Sequence, residues 1–173
     1  MRYVLLSISA VALLSACGQE STPGDAQPDA TEATEEAVAE EGPGRDLSAV
    51  DVCSLVPAEA VAEAAGATVE GPAAATDPGF DGKGCEYQLR IGGLLRSPEI
   101  SLHPPATCDF WRDVQTFKLE DLSGLGDRAF WGKRTDQTDL YVLVSNDVCV
   151  HVQAHGQELP QARAIAEAVL GRL

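Results

Sequence analysis

The chain has 173 residues, 45% of them hydrophobic, and its 27 acidic side chains against 12 Lys and Arg give a formal net charge of −15 at pH 7. So acidic a chain lacks the basic face that nucleic-acid binding requires, and its 5% of aromatic residues offer no stacking platform for bases. We therefore expect no nucleic-acid partner.

The first sixteen residues are typical of an export signal. Arg2 precedes an apolar run over residues 4–14, and small residues lead from that run to Cys17. The run is well short of the ~20 residues that a membrane-spanning helix needs. Residues 1–16 are therefore predicted to be a signal peptide that is removed on export.

The sequence LSAC at residues 14–17 resembles a bacterial lipobox, in which the cysteine becomes the first mature residue and is lipidated. The resemblance implies a lipid on Cys17, a membrane partner through that lipid and a cell-envelope location, since two or more acyl chains hold a protein almost permanently. An Asp directly after the lipidated cysteine would resemble an inner-membrane retention signal, but this chain has Gly18 there. The resemblance therefore implies sorting to the outer membrane of a Gram-negative cell, with the domain facing the periplasm. The alternative is ordinary cleavage after Ala16 with an unmodified thiol.

The segment that follows has the composition of a disordered tether. Residues 18–46 contain nine acidic residues and one Arg, interspersed with Pro, Gly, Ser and Thr. Low hydrophobicity with charge of one sign leaves too little apolar surface to offset chain entropy. We predict a lipidated, disordered tether over residues 17–46, about 30 Å long on average, and a single domain over residues 47–173.

The domain contains an even number of cysteines, which in an exported chain indicates disulfides. These are Cys53, Cys85, Cys108 and Cys149. Three pairings are possible, and sequence alone does not decide between them. Our working choice joins Cys53 to Cys85 and Cys108 to Cys149, closing loops of about 30 to 40 residues that contribute roughly 3 to 4 kcal/mol each in the chain-entropy model.

The first half of the domain predicts a helix, two strands and a second helix. Pro57 fits the start of a short helix and Gly66 its C-terminal cap. Residues 85–95 and 98–104 alternate weakly, which favours two strands joined by an irregular loop. A second helix is expected to be capped by Thr107, with its aromatic residues at helical spacing.

The second half predicts three strands and a final helix. Residues 128–132 and 140–154 have strand patterns, and a hairpin around residues 145–147 divides the longer segment. In its last strand Val150 belongs to one face, whereas Cys149, His151 and Gln153 belong to the other. An apolar stripe after Pro160 predicts the last helix.

These elements indicate the α+β class. We expect an antiparallel sheet of about five strands, with two or three helices packed on one of its faces and disulfides stapling the whole.

Four segments, "DVCSLVPAEAVAEAAG", "GCEYQL", "GLGDRAFW" and "LYVLVSNDVCVHV", resemble a family of small envelope lipoproteins classed as domains of unknown function. The family pattern is Cys-x-Leu before a helix that ends in Gly, then Cys-x-Trp or Cys-x-Tyr, then Gly-x-Gly-Asp-x-Ala. The chain is similar, more remotely, to extracytoplasmic sensor domains of bacterial serine/threonine kinases. The resemblance implies pairing of Cys53 with Cys85 and a function without catalysis. Val56 departs from the Thr or Ser usual before the Pro.

A Pro-stiffened segment, residues 103–111, is the first candidate for binding because a disulfide at Cys108 would hold it in place. It carries a histidine and two aromatic side chains. The candidate ligand-binding residues of the chain are His103, Phe110, Trp111, Trp131 and His151. The alternative for both tryptophans is an ordinary place in the core.

Metal and nucleophile chemistry are disfavoured by spacing. His151 and His155 share a strand face but lie ~13 Å apart, too far to share one tetrahedral ion with Cys108 or Cys149. The Cα atoms of Cys149 and His151 lie ~7 Å apart, and a catalytic thiolate would have to escape oxidation outside the cytoplasm. We expect no metal, no cofactor and no catalytic residue.

The expected function is non-catalytic binding of an envelope protein or a small ligand by a lipid-anchored domain. One alternative is an envelope hydrolase or metal-dependent enzyme with its site near His103 and His151. Another is a structural or assembly accessory of an envelope complex.

Overall fold

The structure is a computed structural model that describes residues 44–173. The predictions for the signal peptide, for Cys17 and for all but the last three residues of the tether lie outside the described residues.

Short helices and strands make up the described part of the chain. The helices are α1 (Val52–Leu55), α2 (Ala58–Ala65), α3 (Ala106–Val114) and α4 (Leu159–Leu170). The strands are β1 (Thr68–Val69), β2 (Ala74–Thr76), β3 (Lys83–Glu86), β4 (Leu89–Ile91), β5 (Leu94–Arg96), β6 (Glu99–His103), β7 (Leu119–Leu122), β8 (Arg128–Arg134), β9 (Gln137–Val144) and β10 (Val148–His155).

The strands form two antiparallel sheets. Seven strands pair in the order β2-β3-β6-β10-β9-β8-β7, and a small sheet has the order β1-β4-β5. The α+β class with disulfides is confirmed, although the main sheet has seven strands where about five were expected. The additional edge strands β2 and β7 have three and four residues, too few to show a clear alternation in the sequence.

The main core lies between one face of the large sheet and three helices, α1, α2 and α4. Val150 and Val152 of β10 are fully buried there, as are Ile165 and Val169 of α4. The hydroxyl of the equally buried Tyr87 donates a 2.8 Å hydrogen bond to the Val56 carbonyl, which fixes the junction of α1 and α2. Burial raises the pKa of that phenol.

Helix α2 begins and ends as its sequence predicts. Pro57 occupies the N-cap position, and no side chain caps the helix there. Gly66 adopts a left-handed conformation with φ of 64° and closes the C-terminus, which a residue with a Cβ does at a cost.

Helix α3 packs on the opposite face, so the expectation of helices on a single face is wrong. Cys108 and Cys149 form a second buried cluster there with Phe130 and Tyr141. The alternation along β10 correctly separates its two faces. The face of β10 that carries His151 and Gln153 is polar in sequence, as solvent-exposed strand faces usually are. In the structure, however, the short helix α3 covers it.

The start of α3 also differs from the prediction. The N-cap is Pro105, without a side-chain hydrogen bond, and Thr107 is a buried residue of the first turn instead of a cap. The helix ends at Val114, so Phe117 lies beyond it. The two prolines before α3 restrict the backbone enough to start a helix without a polar cap.

Both disulfides follow the working choice. Cys53 is bonded to Cys85, and Cys108 to Cys149, with Cα separations of 5.2 and 5.6 Å. The first joins α1 to β3 beside the main core, and the second ties α3 to β10.

Two residues before the predicted start of the domain, Arg45 already contacts the rest of the described chain. Arg45 Nε donates to Asp147 Oδ2 at 3.2 Å, and its backbone N–H donates to the Asp147 carbonyl at 3.1 Å. Leu47 is 5% exposed and belongs to the main core. Among residues 44–173 no helix is long and apolar enough to cross a membrane.

Candidate functional site

A row of polar and aromatic side chains crosses the sheet face beneath α3. Ser101 of β6 pairs with His151 of β10, which in turn pairs with Tyr141 of β9. Directly paired residues of antiparallel strands point to the same face. Strand register alone therefore gathers three hydrogen-bonding side chains under one helix.

Trp111 of α3 is the hub of this face. Its ring centroid lies 4.5 Å from that of His103, 4.7 Å from that of His151 and 5.3 Å from that of Tyr141. The His151 ring also stacks on Tyr141 at 4.4 Å with an interplanar angle of 9°, so the Trp111, Tyr141 and His151 rings form a triangle. His151 thus contacts two aromatic rings, which fixes the direction of its nitrogens.

A buried acid orients His151. The Nε2 atom of His151 donates to Asp139 Oδ1 at 3.1 Å, and Asp139 is fully buried. Gln137 Nε2 donates to the same oxygen at 2.6 Å, and Arg134 Nε donates to Oδ2 at 3.1 Å. Burial raises the pKa of Asp139. The hydrogen bond and charge of His151, the hydrogen bond from Gln137 and the charge of Arg134 lower it, and together they hold this pKa below its usual range. These partners therefore favour the ionised form of the Asp139 carboxylate beside His151.

His103 occupies a different environment on the same face. Its Nε2 shares a 2.9 Å hydrogen bond with the Ser101 hydroxyl, and the ring is fully buried. Burial, assisted by the charge of His151 and opposed by the Gly79 carbonyl, lowers its pKa to about 4. Among the described residues, Nδ1 has no hydrogen-bond partner of good geometry. His103 is therefore a neutral, structural neighbour of Ser101 at pH 7.

A strained loop forms one wall of the site. Phe80 and Asp81 both have positive φ, 52° and 55°, which is costly for residues with a Cβ. The Phe80 ring lies 5.1 Å from Phe110 and 5.9 Å from Trp111, yet it remains 54% exposed. The loop, residues 77–82, thus reaches over the sheet face and is held there by aromatic contacts with α3.

A cleft of about 340 Å³ lies between loop 77–82, α3 and the sheet. We call it the α3 cleft. Its hydrogen-bonding side chains, which include the charged Glu99 and Arg134, outnumber its aromatic rings. Its principal lining residues are Phe80, Trp111, Tyr141, Ser101, Gln115 and Gln153. His151 also lines the cleft and is hydrogen-bonded to the buried Asp139 behind it, so the cleft combines flat aromatic rings with fixed polar groups, as small-molecule sites do.

A larger depression, about 600 Å³, lies beside the same loop. Its charged border, which includes Arg45, Asp77, Asp81 and Lys83, is exposed to solvent. Exposed charges are strongly screened and hold a ligand weakly. We therefore place the candidate site in the smaller α3 cleft.

The structure brings together three of the five predicted binding residues. His103, Trp111 and His151 meet within the cluster around Trp111. Phe110 is 45% exposed on the outer side of α3 and contributes through Phe80. Trp131 belongs to the opposite face of the sheet, where it packs against the main core.

Sequence reasoning missed four residues of the site. Asp139 and Tyr141 occupy alternate positions of β9, opposite Gln153 and His151 across the predicted hairpin, so register counting would have found them. Ser101 lies two residues before His103 on the same strand, so strand alternation would have placed it on the same face. Phe80 gives no such signal, because a loop of Gly, Pro and Asp does not predict where its one aromatic residue points.

Metal chemistry finds no arrangement to support it in residues 44–173. No group of three or more His, Cys, Asp or Glu side chains there is placed to hold an ion. Cys108 and Cys149 are joined in a disulfide, so neither supplies a thiolate ligand.

Comparison with protein-family models, with curated proteins and with solved structures gives no match for this chain.

Proposed function

We propose that this chain is a lipid-anchored binding domain of the bacterial cell envelope, without catalytic activity, that holds a small ligand in the α3 cleft. The lipid is attached to Cys17, and in a Gram-negative cell the domain faces the periplasm from the outer membrane. The observation that carries the binding proposal is the position of His151, which lines a cleft of about 340 Å³, contacts the rings of Trp111 and Tyr141, and is hydrogen-bonded to the buried Asp139.

The walls of the cleft favour a ligand with a flat apolar portion and several hydrogen-bonding groups. Phe80, Trp111 and Tyr141 offer rings for stacking. Gln115 and Gln153 offer amide groups to a ligand. Burying a polar group without a partner is costly, so a ligand that satisfies these side chains is preferred over a purely apolar one.

Hydrolysis is the second candidate, because His151 with Asp139 resembles an acid–base pair and Ser101 is its direct neighbour across the strands. Two observations favour binding. The Ser101 hydroxyl is bonded to His103 and the residue is 2% exposed. Strand β6 is also paired on both sides, by β3 and β10, so its backbone N–H groups are engaged in the sheet and not available to stabilise an oxyanion.

The test is ligand-induced thermal stabilisation of the purified chain by fractions of an envelope extract. A compound that binds only the native state stabilises it by about 2.7 kcal/mol at a hundred times its Kd. We expect one fraction to raise the melting temperature of the wild type and of Trp131→Leu by similar amounts. The matched Trp111→Leu variant should respond much less, because it lacks the ring at the centre of the cleft.

Equal stabilisation of all three proteins, or no stabilisation of the wild type by any fraction, would contradict the proposal. Consumption of the active compound during incubation would favour the hydrolase instead. Anchoring is tested separately by the mass of the amino-terminal peptide from native membranes, where an unmodified Cys17 would rule out the lipid.

A further inference from the structure

The small β1-β4-β5 sheet carries an unusual share of the exposed apolar side chains. Of the six exposed large hydrophobic residues among residues 44–173, three are Val69, Leu94 and Leu95, with exposed fractions of 38%, 57% and 58%. The two leucines directly follow a turn made by Gly92 and Gly93, whose φ angles are 57° and 85°. They therefore lie at the tip of the β4–β5 hairpin, away from the main core.

The two leucines point to opposite faces of the hairpin. Leu94 pairs with Ile91, whereas Leu95 pairs with Arg90, and consecutive side chains of a strand alternate in direction. Both remain more than half exposed. A rigid protein partner packed on one face would cover only one of them, but a fluid apolar medium that surrounds the tip covers both.

The charge of the hairpin differs from that of the rest of the chain. Between Tyr87 and Pro98 there are two Arg and no acidic residue, in a chain with a net charge of −15. The Arg90 guanidinium is held beside the tip, since it donates to the Gly93 carbonyl at 3.0 Å and to both carboxylate oxygens of Glu70. Arg96 ends β5 on the other side. Because Glu70 pairs with Arg90, the guanidinium available to a lipid phosphate is that of Arg96, which forms no ion pair among residues 44–173.

We infer that the tip of the β4–β5 hairpin, residues 92–95, inserts into the headgroup region of the phospholipid bilayer that carries the chain. This role rests on the proposed lipid at Cys17, which keeps the domain near that bilayer, and it goes beyond ligand binding in the α3 cleft. Two leucines bind a bilayer weakly on their own. On a chain already anchored to that bilayer, however, the tip is present at a high effective concentration near the lipid, and this favours the contact.

The experiment uses the full lipidated chain in vesicles that contain anionic phospholipid and a photoactivatable phospholipid. Trypsin cleaves after Arg90 and Arg96 and releases Ile91–Arg96 as one peptide, so mass spectrometry measures the lipid attached to the tip. The test variant is Leu94→Ser with Leu95→Ser. The matched control is Val114→Ser, which removes a residue of similar exposure, 48%, from α3 and leaves the ring contacts of Phe80 in place.

We expect the tip peptide to be the main labelled peptide of the domain, and its labelling to fall about tenfold in the leucine variant but not in the control. Intact disulfides and an unchanged melting temperature serve to verify that each variant is folded. A tip peptide labelled no more than the α3 peptide, on a chain that pellets with the vesicles, would overturn the insertion while leaving the anchor intact. Crosslinks from the tip to a second copy of the chain in place of lipid would overturn it as well. A chain that fails to pellet would instead overturn the anchor.

Discussion

Removal of the Cys108–Cys149 disulfide tests how α3 is held on the sheet. The bond closes a loop of 41 residues, and in the chain-entropy model its loss lowers the free energy of unfolding by about 4 kcal/mol. Helix α3 has nine residues, of which only Thr107 and Cys108 are fully buried. A helix of that length is not stable in isolation, so without the bond α3 and Trp111 should detach from the sheet.

The assay compares Cys108→Ala/Cys149→Ala with Cys53→Ala/Cys85→Ala by guanidinium unfolding and near-ultraviolet circular dichroism. The second disulfide closes a loop of 32 residues, so both variants should lose about 4 kcal/mol. Only the first should lose the aromatic signal of Trp111 under native conditions, together with ligand binding. Equal aromatic spectra for the two variants, or a much smaller stability loss in the first, would refute the reasoning about α3.

Three further predictions concern buried groups. The pKa of His103 is about 4 in the folded chain against about 6.5 when unfolded. Below pH 6.5 the unfolded chain therefore binds the proton first, and the free energy of unfolding falls by about 3 kcal/mol by pH 4. Denaturant titrations at several pH values should show this fall in the wild type and not in His103→Gln. Gly82→Ala would place a Cβ against the buried His103 ring, and calorimetry should show a loss of about 1–3 kcal/mol. Tyr87→Phe leaves the buried Val56 carbonyl without its donor, and chemical unfolding should show a loss of about 1–3 kcal/mol, whereas an unchanged midpoint would contradict the hydrogen bond.

The sequence was most informative where periodicity and capping residues agree. Pro57 and Gly66 bound α2 as expected. The alternation along β10 separates the face of Val150, which lies in the main core, from the face of His151, which contacts Trp111. These features depend on local geometry, and local geometry is what a sequence pattern encodes.

The placement of α3 did not follow from local pattern. Its buried face is short, and its attachment depends on the pairing of Cys108 with Cys149 across 41 residues. The polar face of β10 resembled a solvent-exposed one because polar residues usually face water. Only the contact of α3 with this face shows that its polar side chains line a cleft.

The site itself was predicted in part. His103, Trp111 and His151 were identified as residue types suited to binding, and they meet in the structure. Asp139 follows only from counting the register of β9 against β10 across the predicted hairpin, where it lies opposite Gln153. Phe80 depends on two consecutive left-handed residues in a loop, a conformation that no pattern in the sequence indicates.

The most direct test of binding in the α3 cleft is nuclear magnetic resonance titration of the folded chain with the stabilising compound. The chain has two tryptophans, so its indole N–H region contains one signal for each face of the sheet. The account predicts a saturable shift of the Trp111 signal, an unmoved Trp131 signal and recovery of the compound chemically unchanged. A shift confined to Trp131, or conversion of the compound to a product, would contradict it.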